Sequence, residues 1–574
     1  MIAYFVMECG VDSRIPTYSG GLGILAGDTL QSFADLEVPA VCITLLWKNG
    51  FISQKLSNDG GQMDSLQEWD IEKYMLPTNV KIKIPIGGKD VTITAYKYVV
   101  ESTRGDNEID AYFLTPDTPE NDPETRKICD RLYIEGGSTR LLQEIILGIG
   151  GYEMLKALNY KPFLYHINES HSALLIAGLM KDFDDLNRVK SRVVFTTHTP
   201  IPAAFDKFPI KDVKEMLSGY CGEKVFNDIY RENLEEKDEL NLSWLAIKNA
   251  KNVVAVSRKH KYVSEQIFEG YKLKYVTNGI HHVKWASPHH KILFTKYIKG
   301  WEEDPDLLRG AACIPDGDFA QAHILCKETL IEMINSETDS SFVPAYFTIA
   351  MAKRITHYKR NNLIISNPDR LINIAEKKGN IQLIFAGKTH PADTDGLAMI
   401  KSIHDTAKYI SSKTKKIKIA FLENYNIHKA NIILAGTDLW LNNPTRPLEA
   451  SGTSGMKASL NGVPNFSVLD GWWLEACIEG INGWSIGPKP AWTDLSYSDD
   501  LQDLNDIYGK LEFNILDLYY KNYSDYLKIM KMAVSSIAPH FNTHRMVSEY
   551  VTDLYLTGIV MCYLEKEKGG ICDI

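Results

Sequence analysis

The chain has 574 residues and an acidic balance, with 63 lysines and arginines against 73 aspartates and glutamates, for a net charge of −10. This length exceeds one ordinary hydrophobic core and predicts about two to four domains. The charge argues against a general nucleic-acid binder, because a phosphate backbone requires local positive charge.

The cysteines and the N-terminus indicate a cellular compartment. Nine cysteines are scattered without a C-x-x-C pair, which is typical of buried thiols in a reduced compartment and argues against a zinc ribbon. The segment MIAYFVMECG carries Glu8 within its apolar stretch and has no basic residue, so it predicts a first strand rather than a signal peptide. No apolar run approaches the ~20 residues that span a bilayer. We therefore expect a soluble cytoplasmic protein.

The first elements predict a βα unit. Ile2–Met7 is a short apolar run, the glycine cluster SGGLG follows at 19–23, and ILAGDTLQSFADL has helical spacing. A strand, a glycine loop and a helix in this order let backbone N–H groups approach a phosphate. A tight turn without a ligand stays open as an alternative, because the spacing is not G-x-G-x-x-G. Val38–Trp47 is the next predicted strand.

Between about residues 50 and 120 the pattern changes to period-2 alternation. VKIKIPI and VTITAYKYVV flank Gly87-Gly88 as a hairpin, and IDAYFL is a third strand. We expect an antiparallel insertion that covers one face of a cleft, and we assign it no chemistry.

From about Leu141 strands alternate with helices, which predicts a parallel sheet with helices on both faces. Three predicted strands are followed by polar loops, HINESH at 166–171, THTP at 197–200 and TNG at 277–279. Open α/β sheets bind ligands at this carboxyl edge. One histidine in such a loop is more often structural, but three loops at one edge indicate a site.

Two histidine pairs, His281-His282 and His289-His290, invite a metal interpretation. Adjacent side chains diverge, and no carboxylate or cysteine stands between the pairs, so we predict a solvated linker and no metal. SPHHKILF is interpreted as the crossing to the second half.

The second half opens with FTIAMAKRITHYKR, an apolar strand that runs directly into a basic cluster. The members of this cluster are Lys353, Arg354, His357, Tyr358, Lys359 and Arg360. A solvated basic helix face is the alternative. In an acidic chain, so much positive charge at one strand end predicts anionic partners, and the cluster would accommodate two phosphates. SSKTKKIKI at 411–419 is interpreted as a solvated charge run.

The segment EASGTSGMKASLNG at 449–462 is the strongest candidate for chemistry. Its glycines and hydroxyl residues predict a loop that enters a helix, where free N–H groups and the helix dipole favour anions. Lys457 falls in the first turns of that helix, where the dipole and apolar neighbours lower the pKa of its amine. Such an amine can form an imine. A flexible loop with a solvated lysine is the alternative.

Strands and helices alternate again beyond the basic cluster, so we predict an α/β fold with two Rossmann-like, doubly wound domains that face each other across a cleft. No repeat of 20–50 residues is present. Beyond about Pro539 the chain is strongly helical and amphipathic.

Together these motifs resemble the α-glucan phosphorylases, the glycogen phosphorylase family, from near Ile2 to at least Gly487. The similar segments are YSGGLGILAGD, HINESH, TTHTPIPA, VTNGIH, KRITHYKR, FAGKTHPAD, LENYN and NNPTRPLEASGTSGMKASLNG. Several resemble the short prokaryotic branch most. The resemblance implies a glycosyltransferase-B type fold with a glucan-binding domain at 1–288, a pyridoxal-phosphate domain at 289–539, and a helical tail at 540–574 that packs back on the first domain.

The resemblance also implies roles for individual residues. The implied catalytic residues are Lys457, Arg354, Lys359, His198 and Lys353. The implied cofactor-binding residues are Lys457, Lys353, Lys359, Thr453, Gly21 and Tyr425. The implied substrate-binding residues are Gly20, Leu22, His198, Asn278, Arg354, Tyr358, Glu449, Ser451 and Gly452. In this scheme Lys457 holds pyridoxal 5′-phosphate, and Arg354 takes the substrate phosphate with help from Tyr358. His198 and Asn278 contact the 6-hydroxyl side of the reacting glucose, and Glu449 belongs to the 3-hydroxyl side.

The implied reaction is phosphorolysis of terminal α-1,4-glucosyl units of glycogen, starch or maltodextrin, which releases α-D-glucose 1-phosphate with retention. A phosphate monoester has a second pKa near 6 and can act as a general acid or base, so no pair of catalytic carboxylates is required. A homodimer is a family expectation. The long N-terminal extension of animal relatives is missing, so we expect no allosteric control of that kind. HINESH departs from an Asp-Thr-His form, which leaves the acceptor-side contacts of Glu169 and His171 open.

Three alternatives stay open at this point. A sugar-nucleotide-dependent glucan synthase shares the architecture but has no reason to keep a cofactor lysine. An aminotransferase-like enzyme requires an aspartate at the cofactor's ring nitrogen, and no strand-borne motif of that kind is present. An inactive glucan-binding scaffold has no need of the full set of cationic and hydroxyl residues.

Overall fold

The framework is a pair of large sheets, one in each half of the chain, with helices against their faces. The computed structural model describes residues 1–133, 137–230 and 238–556. The strands of the first half are β1 (Ile2–Phe5), β2 (Ala40–Leu45), β3 (Ser53–Leu56), β4 (Gln62–Ser65), β5 (Leu76–Ile86), β6 (Lys89–Glu101), β7 (Glu108–Thr115), β8 (Leu164–Asn168), β9 (Val193–Thr197), β10 (Lys207–Pro209), β11 (Glu239–Asn241), β12 (Asn252–Ala255) and β13 (Lys274–Tyr275). Those of the second half are β14 (Phe347–Ala352), β15 (Ile381–Ala386), β16 (Ile417–Leu422), β17 (Leu439–Asn442), β18 (Asn465–Val468) and β19 (Gly483–Ile486).

The helices up to residue 297 are α1 (Gly21–Asp35), α2 (Ile71–Tyr74), α3 (Pro123–Arg126), α4 (Gly137–Ile145), α5 (Gly151–Ala157), α6 (Leu175–Phe183), α7 (Leu186–Ser191), α8 (Ile210–Leu217), α9 (Glu223–Tyr230), α10 (Leu242–Lys248), α11 (Arg258–Ile267), α12 (His282–Trp285) and α13 (Pro288–Tyr297). Those that follow are α14 (Asp316–Glu337), α15 (Pro368–Lys378), α16 (Thr394–Lys413), α17 (Ile427–Gly436), α18 (Ser454–Leu460), α19 (Trp473–Ala476), α20 (Asp500–Lys510), α21 (Leu516–Lys521), α22 (Tyr523–Ile537) and α23 (Thr543–Tyr550). A π-helical turn, Val551–Tyr555, continues α23.

The sheet of the first half has nine strands in the order β13-β12-β9-β8-β1-β2-β7-β6-β5. β1 pairs in parallel with β2 and β8, and parallel pairing continues outward to β7 and β13. All four residues of β1 are buried, as expected for a strand covered by helices on both faces. The chain order reverses beside β1, and ligands of open α/β sheets bind at such a switch point.

The sheet of the second half has six parallel strands in the order β16-β15-β14-β17-β18-β19. Its first strand in sequence, β14, lies at the centre, and all six residues of FTIAMA are buried. This is the strand order of doubly wound α/β sheets, with the switch point between β14 and β17. The basic cluster follows β14, so it begins at that switch point.

The end of the described chain returns to the first sheet. Tyr550 and Tyr555 share one hydrophobic cluster with Tyr4 of β1, and the Tyr555 hydroxyl lies 2.7 Å from His166 Nδ1. Ser32 of α1 makes a hydroxyl hydrogen bond of 2.6 Å to Thr543. The described part of the predicted C-terminal tail therefore packs against the first half, and residues 557–574 of that prediction lie outside the described residues.

The prediction of an antiparallel insertion that covers one face of a cleft is confirmed in its strand directions and wrong in its position for β5, β6 and β7. These strands are antiparallel to one another, but β7 also pairs in parallel with β2, so they extend the first sheet in its own plane. The last five residues of β7 are all buried, as expected for a strand inside a sheet with a hydrogen-bonded strand on each edge. The hairpin of β3 and β4 does reach the second half, where Gln54 Nε2 donates to Gly387 O at 2.8 Å.

The prediction of a solvated linker at the histidine pairs is also wrong. His281, His282 and His290 are almost fully buried. His281 Nε2 lies 2.6 Å from Asp35 Oδ2 on α1, and His282 Nε2 lies 2.9 Å from the Glu302 carbonyl. Their partners come from distant parts of the chain, so the local sequence carried no sign of them. Within the described residues, no helix is long and apolar enough to cross a membrane.

Candidate active site

The glycine loop after β1 is held by a buried carboxylate. Glu8 accepts hydrogen bonds from the backbone N–H groups of Ser19 at 2.5 Å and Gly20 at 3.2 Å, and from the Tyr133 hydroxyl at 3.0 Å. Helix α1 then begins at Gly21. A Cβ atom added to Gly20 or Gly21 would meet nothing within 4 Å. The N-terminus of a 15-residue helix therefore faces open space, which suits an anionic ligand.

A second carboxylate organises the loops after β8 and β9. Glu169 is buried in a left-handed conformation with φ of 65°. It accepts the His198 N–H at 2.7 Å and the Thr199 hydroxyl at 2.9 Å. His198 Nε2 lies 2.8 Å from Asn168 Oδ1, which can only accept, so this nitrogen carries the proton. Burial lowers the pKa of His198 to about 3, and the imidazole is neutral at physiological pH.

Asn278 joins the first sheet to the loop 449–452. Its Nδ2 donates to the Ser451 carbonyl at 3.2 Å. Asn278 Oδ1 and Ser451 Oγ are buried and have no hydrogen-bond partner in the structure. Buried polar atoms are rarely left unpaired, so these two atoms are suited to ligand hydroxyl groups. A Cβ at Gly452 would lie 2.9 Å from Glu449 Oε1, so a larger residue there would displace that carboxylate.

Four members of the basic cluster converge near Glu449. Lys359 Nζ pairs with Glu449 Oε2 at 2.5 Å, and Lys353 Nζ donates to Asn442 Oδ1 at 3.0 Å. Arg354 lies near Tyr358, whose hydroxyl helps to raise the pKa of the guanidinium. The Arg354 side chain is exposed although protein surrounds it, as expected for the wall of an open cleft. Of these three basic residues, Lys359 is the one ion-paired with Glu449, whose charge also acts on Lys353. Arg354 forms no salt bridge among the described residues, and its charge acts on Lys359.

The charge states of the two lysines differ. Burial, followed by repulsion from Lys359, holds the pKa of Lys353 well below its usual range. Burial also acts to lower the pKa of Lys359, but attraction to Glu449 outweighs it and raises the pKa. Lys353 therefore gains most from an incoming anion.

Two predicted members lie apart from this group. Arg360 turns away through a left-handed residue with φ of 47°, and its guanidinium pairs with Asp500 and Asp503, each at 2.7 Å. His357 is exposed. Arg360 is therefore a structural residue, and the other four of the six predicted members lie together.

Lys457 lies on α18 and is almost fully buried. Its Nζ atom lies 3.8 Å from the centroid of the Trp285 ring. Burial lowers the pKa of Lys457 to about 8, despite attraction from Asp28. Trp285 belongs to α12, and its Nε1 donates to Asp28 of α1 at 2.7 Å, so Lys457 faces this pair of helices. An amine in this state is largely protonated at neutral pH but readily gives a nucleophilic fraction.

The other predicted positions lie at the edges of this region. Thr453 is the N-cap of α18, and its side chain makes no capping bond. Tyr425 is half-buried beside Tyr18, and burial raises its pKa. Leu22 is half-buried in the first turn of α1.

Sequence reasoning missed three contributors, which are Glu8, Trp285 and Asp470. Glu8 had a signal, since a carboxylate inside an apolar strand demands partners. The sequence contained no signal for Trp285 beyond its place after the TNGIHH loop. Asp470 accepts the Glu449 N–H at 3.0 Å, and burial raises its pKa to about 7. Each of the three supports a predicted residue.

Asp35, His281 and His544 form the one group in the described chain whose ligand atoms are close enough to share a metal ion. His281 Nδ1 accepts the Lys284 N–H at 3.1 Å, so a neutral ring carries its proton on Nε2 and donates it to Asp35. A metal would need the Nε2 lone pair. The arrangement therefore favours a hydrogen-bonded cluster.

Fold and site define an α/β enzyme with a buried lysine amine and a group of cationic side chains at the switch points of two parallel sheets. A family model for carbohydrate phosphorylases matches residues 140–480. A maltodextrin phosphorylase of Thermococcus litoralis is 36% identical over 96% of this chain and 70% of its own length. Glycogen phosphorylases of Aquifex aeolicus and Mycobacterium tuberculosis are 33% and 31% identical over 96% of this chain, and 86% and 70% of theirs. The chain belongs to the carbohydrate phosphorylase family, and the predicted family is confirmed.

Proposed function

We propose that this protein is an α-glucan phosphorylase that transfers terminal α-1,4-glucosyl units of glycogen, starch or maltodextrin to inorganic phosphate, with release of α-D-glucose 1-phosphate and retention of configuration. The observation that carries this proposal is the grouping of Lys353, Arg354 and Lys359, of which only Lys359 has an ion-pair partner among the described residues, Glu449. Two anions in this region would offset charge that the protein itself leaves unbalanced.

Pyridoxal 5′-phosphate fits the residues present. Lys457 offers a buried amine with a lowered pKa, and the face of Trp285 beside it suits a planar ring. Gly20 and Gly21 leave open space at a helix N-terminus. Lys457 would hold the cofactor, with Lys353, Lys359, Thr453 and the backbone of Gly21 around its phosphate, and Tyr425 would be a further cofactor contact. When bound, that phosphate supplies a proton donor and acceptor with a pKa near 6.

The residues of the chain have separate roles in this reaction. Arg354 is accessible and grips inorganic phosphate with its planar fork, assisted by Tyr358. Lys359 stays protonated because Glu449 raises its pKa, so it offsets negative charge on the phosphate oxygens as the glycosidic bond breaks. His198, neutral and fixed by Asn168, acts as a hydrogen-bonding group toward the sugar and not as the acid. Asn278 and Ser451 present their unpaired atoms to glucose hydroxyls.

The carboxylates of this region are already engaged, which disfavours hydrolysis by a carboxylate pair. Glu449 is paired with Lys359. Glu8 and Glu169 each accept hydrogen bonds from the backbone N–H groups of neighbouring loops. No specific observation favours the glucan synthase or the inactive scaffold.

We further propose the two-domain arrangement of glycosyltransferase-B type, with boundaries at 1–288, 289–539 and a tail at 540–574. The two strand orders and the return of α23 to the first sheet support it. A cytoplasmic homodimer is also proposed. The seven cysteines in the described part of the chain are free thiols, as a reducing compartment requires, and light scattering tests the dimer.

The test is phosphate-dependent release of glucose 1-phosphate from maltodextrins and glycogen, with cofactor content measured by the absorbance that borohydride abolishes. Arg354→Met is expected to lower kcat/KM for phosphate by about 100-fold or more. His357→Ala, in the same segment but exposed, is the matched control and is expected to stay near wild type. Absence of phosphate-dependent release from protein with full cofactor content would refute the proposal.

A further inference from the structure

The first turn of α11 contacts the second half of the chain through three consecutive residues. Ser257 Oγ donates to the Ala450 carbonyl at 2.6 Å. The Arg258 N–H donates to Glu475 Oε1 at 2.8 Å, and its guanidinium lies 4.5 Å from the Trp492 ring centroid. Lys259 Nζ donates to the carbonyls of Ala491 and Trp492, each at 3.1 Å, and of Asp494.

Lys259 is an unusual residue to find at such a contact. Its side chain is almost fully buried, with 1% exposure, and within the described residues it forms no ion pair at salt-bridge distance. Its three N–H donors are matched by three carbonyl oxygens, which satisfies the ammonium completely. Burying a charge costs free energy, and a well-packed apolar residue at this position would stabilise the fold equally well. Three converging carbonyls are the environment that a bound monovalent cation would have.

The segment that Lys259 holds is tied in turn to the proposed sugar site. Arg446 Nη1 donates to the Pro488 carbonyl at 2.5 Å, and its N–H donates to Ser498 Oγ at 3.0 Å. Arg446 precedes Glu449 by three residues, in the loop whose Ser451 carbonyl accepts from Asn278. A continuous set of contacts thus leads from Lys259 through 488–498 to the loop 446–452.

We propose that Lys259 is a positioning residue, a built-in cation that fixes the segment 488–498 and thereby the Glu449 loop against the first sheet. The inference rests on the proposed function for its kinetic consequence. Without the ammonium, the three carbonyl dipoles repel one another, the segment relaxes, and the sugar-binding atoms of the loop lose their alignment with Asn278. A misplacement on the order of 1 Å is enough to lower catalysis about 100-fold.

The experiment compares wild type with Lys259→Ala, Lys259→Met and a matched control, Lys261→Met, which lies on the same helix and is half-exposed. Lys259→Ala is expected to keep its cofactor absorbance, to raise KM for glucan and lower kcat together by about 10- to 100-fold, and to recover activity on addition of ammonium or potassium ions. Lys261→Met should match wild type. Rescue by a small cation separates positioning from a general loss of stability.

Amide hydrogen exchange gives a second measurement that does not depend on activity. Faster exchange confined to 488–498 and 446–452 in Lys259→Ala supports the proposal even if wild type releases no glucose 1-phosphate, so failure of the proposed function is recognised separately. The proposal would be overturned if Lys259→Ala had the same kinetic constants and the same exchange rates as wild type. Loss of activity without cation rescue, or failure of both Lys259 variants to fold, would also overturn it by assigning Lys259 to stability alone.

Discussion

The substitution Lys457→Met is expected to stabilise the cofactor-free protein while abolishing its activity. The folded protein lowers the pKa of this lysine from 10.5 to about 8, a shift that corresponds to about 3 kcal/mol of penalty for the protonated amine at pH 7. Contact of the ammonium with the Trp285 face offsets about 1–2 kcal/mol of this penalty. Replacement by an uncharged side chain of similar length should therefore raise the free energy of unfolding by about 1–2 kcal/mol.

The sign of the pH dependence follows from the same shift. Between pH 8 and 10.5 the unfolded chain binds the lysine proton more tightly than the folded chain does, so wild-type stability rises with pH in this window. Lys457→Met lacks this contribution. The difference in free energy of unfolding between Lys457→Met and wild type should be greatest below pH 8 and should vanish by about pH 10.5.

Urea titrations of cofactor-free protein at pH 7 and near pH 10 measure both effects. Lys272→Met serves as the control, because the Lys272 side chain is 91% exposed. Borohydride treatment of the reconstituted protein should label wild type and leave Lys457→Met unlabelled. A variant less stable than wild type at pH 7, a difference that does not change with pH, or a covalent label retained by the variant would each refute the reasoning.

Three further predictions concern other parts of the site and core. Glu449→Gln removes the partner of a nearly buried lysine, so it should lower kcat/KM by about 10-fold or more and cost about 3 kcal/mol of stability; unchanged glucan kinetics and an unchanged urea midpoint would contradict the ion pair at Lys359. Acid should destabilise the protein as the pH falls below about 6.5, because burial lowers the pKa of six histidines to about 3 or 4. Urea unfolding midpoints that do not change between pH 6.5 and 4.5 would exclude this. These histidines are His166, His171, His198, His260, His290 and His540. Asp35→Asn removes the shared acceptor of His281 and His544 and should lower the free energy of unfolding by about 2–3 kcal/mol, measured by urea titration with Asp395→Asn, an exposed position, as control.

Local patterns were sufficient for the elements that build the site. β1 and β14 are continuous apolar runs, which a strand buried on both faces requires, and Lys457 follows a loop of glycines and hydroxyl residues that begins a helix. The motif order predicted the family, and the comparisons confirmed it. The family resemblance also supplied the function.

What the sequence did not reveal depends on partners far along the chain. β7 joins β2, and no local pattern states which neighbour a strand will choose. His281 is buried because Asp35 lies beside it, and Arg360 leaves the basic cluster because Asp503 accepts it. The density of charge in the basic cluster predicted an anion site. Only the structure distinguishes Lys353, Arg354 and Lys359, which lie together, from Arg360, which forms structural ion pairs.

The return of α23 to the first sheet has a consequence for biosynthesis. Tyr4 of β1 is translated long before Tyr550 and Tyr555, which share its hydrophobic cluster. The nascent chain must therefore carry an open hydrophobic surface until α23 and the turn after it have been made. Chaperones would act on this surface, and a premature stop codon before α23 would leave the whole polypeptide vulnerable to aggregation.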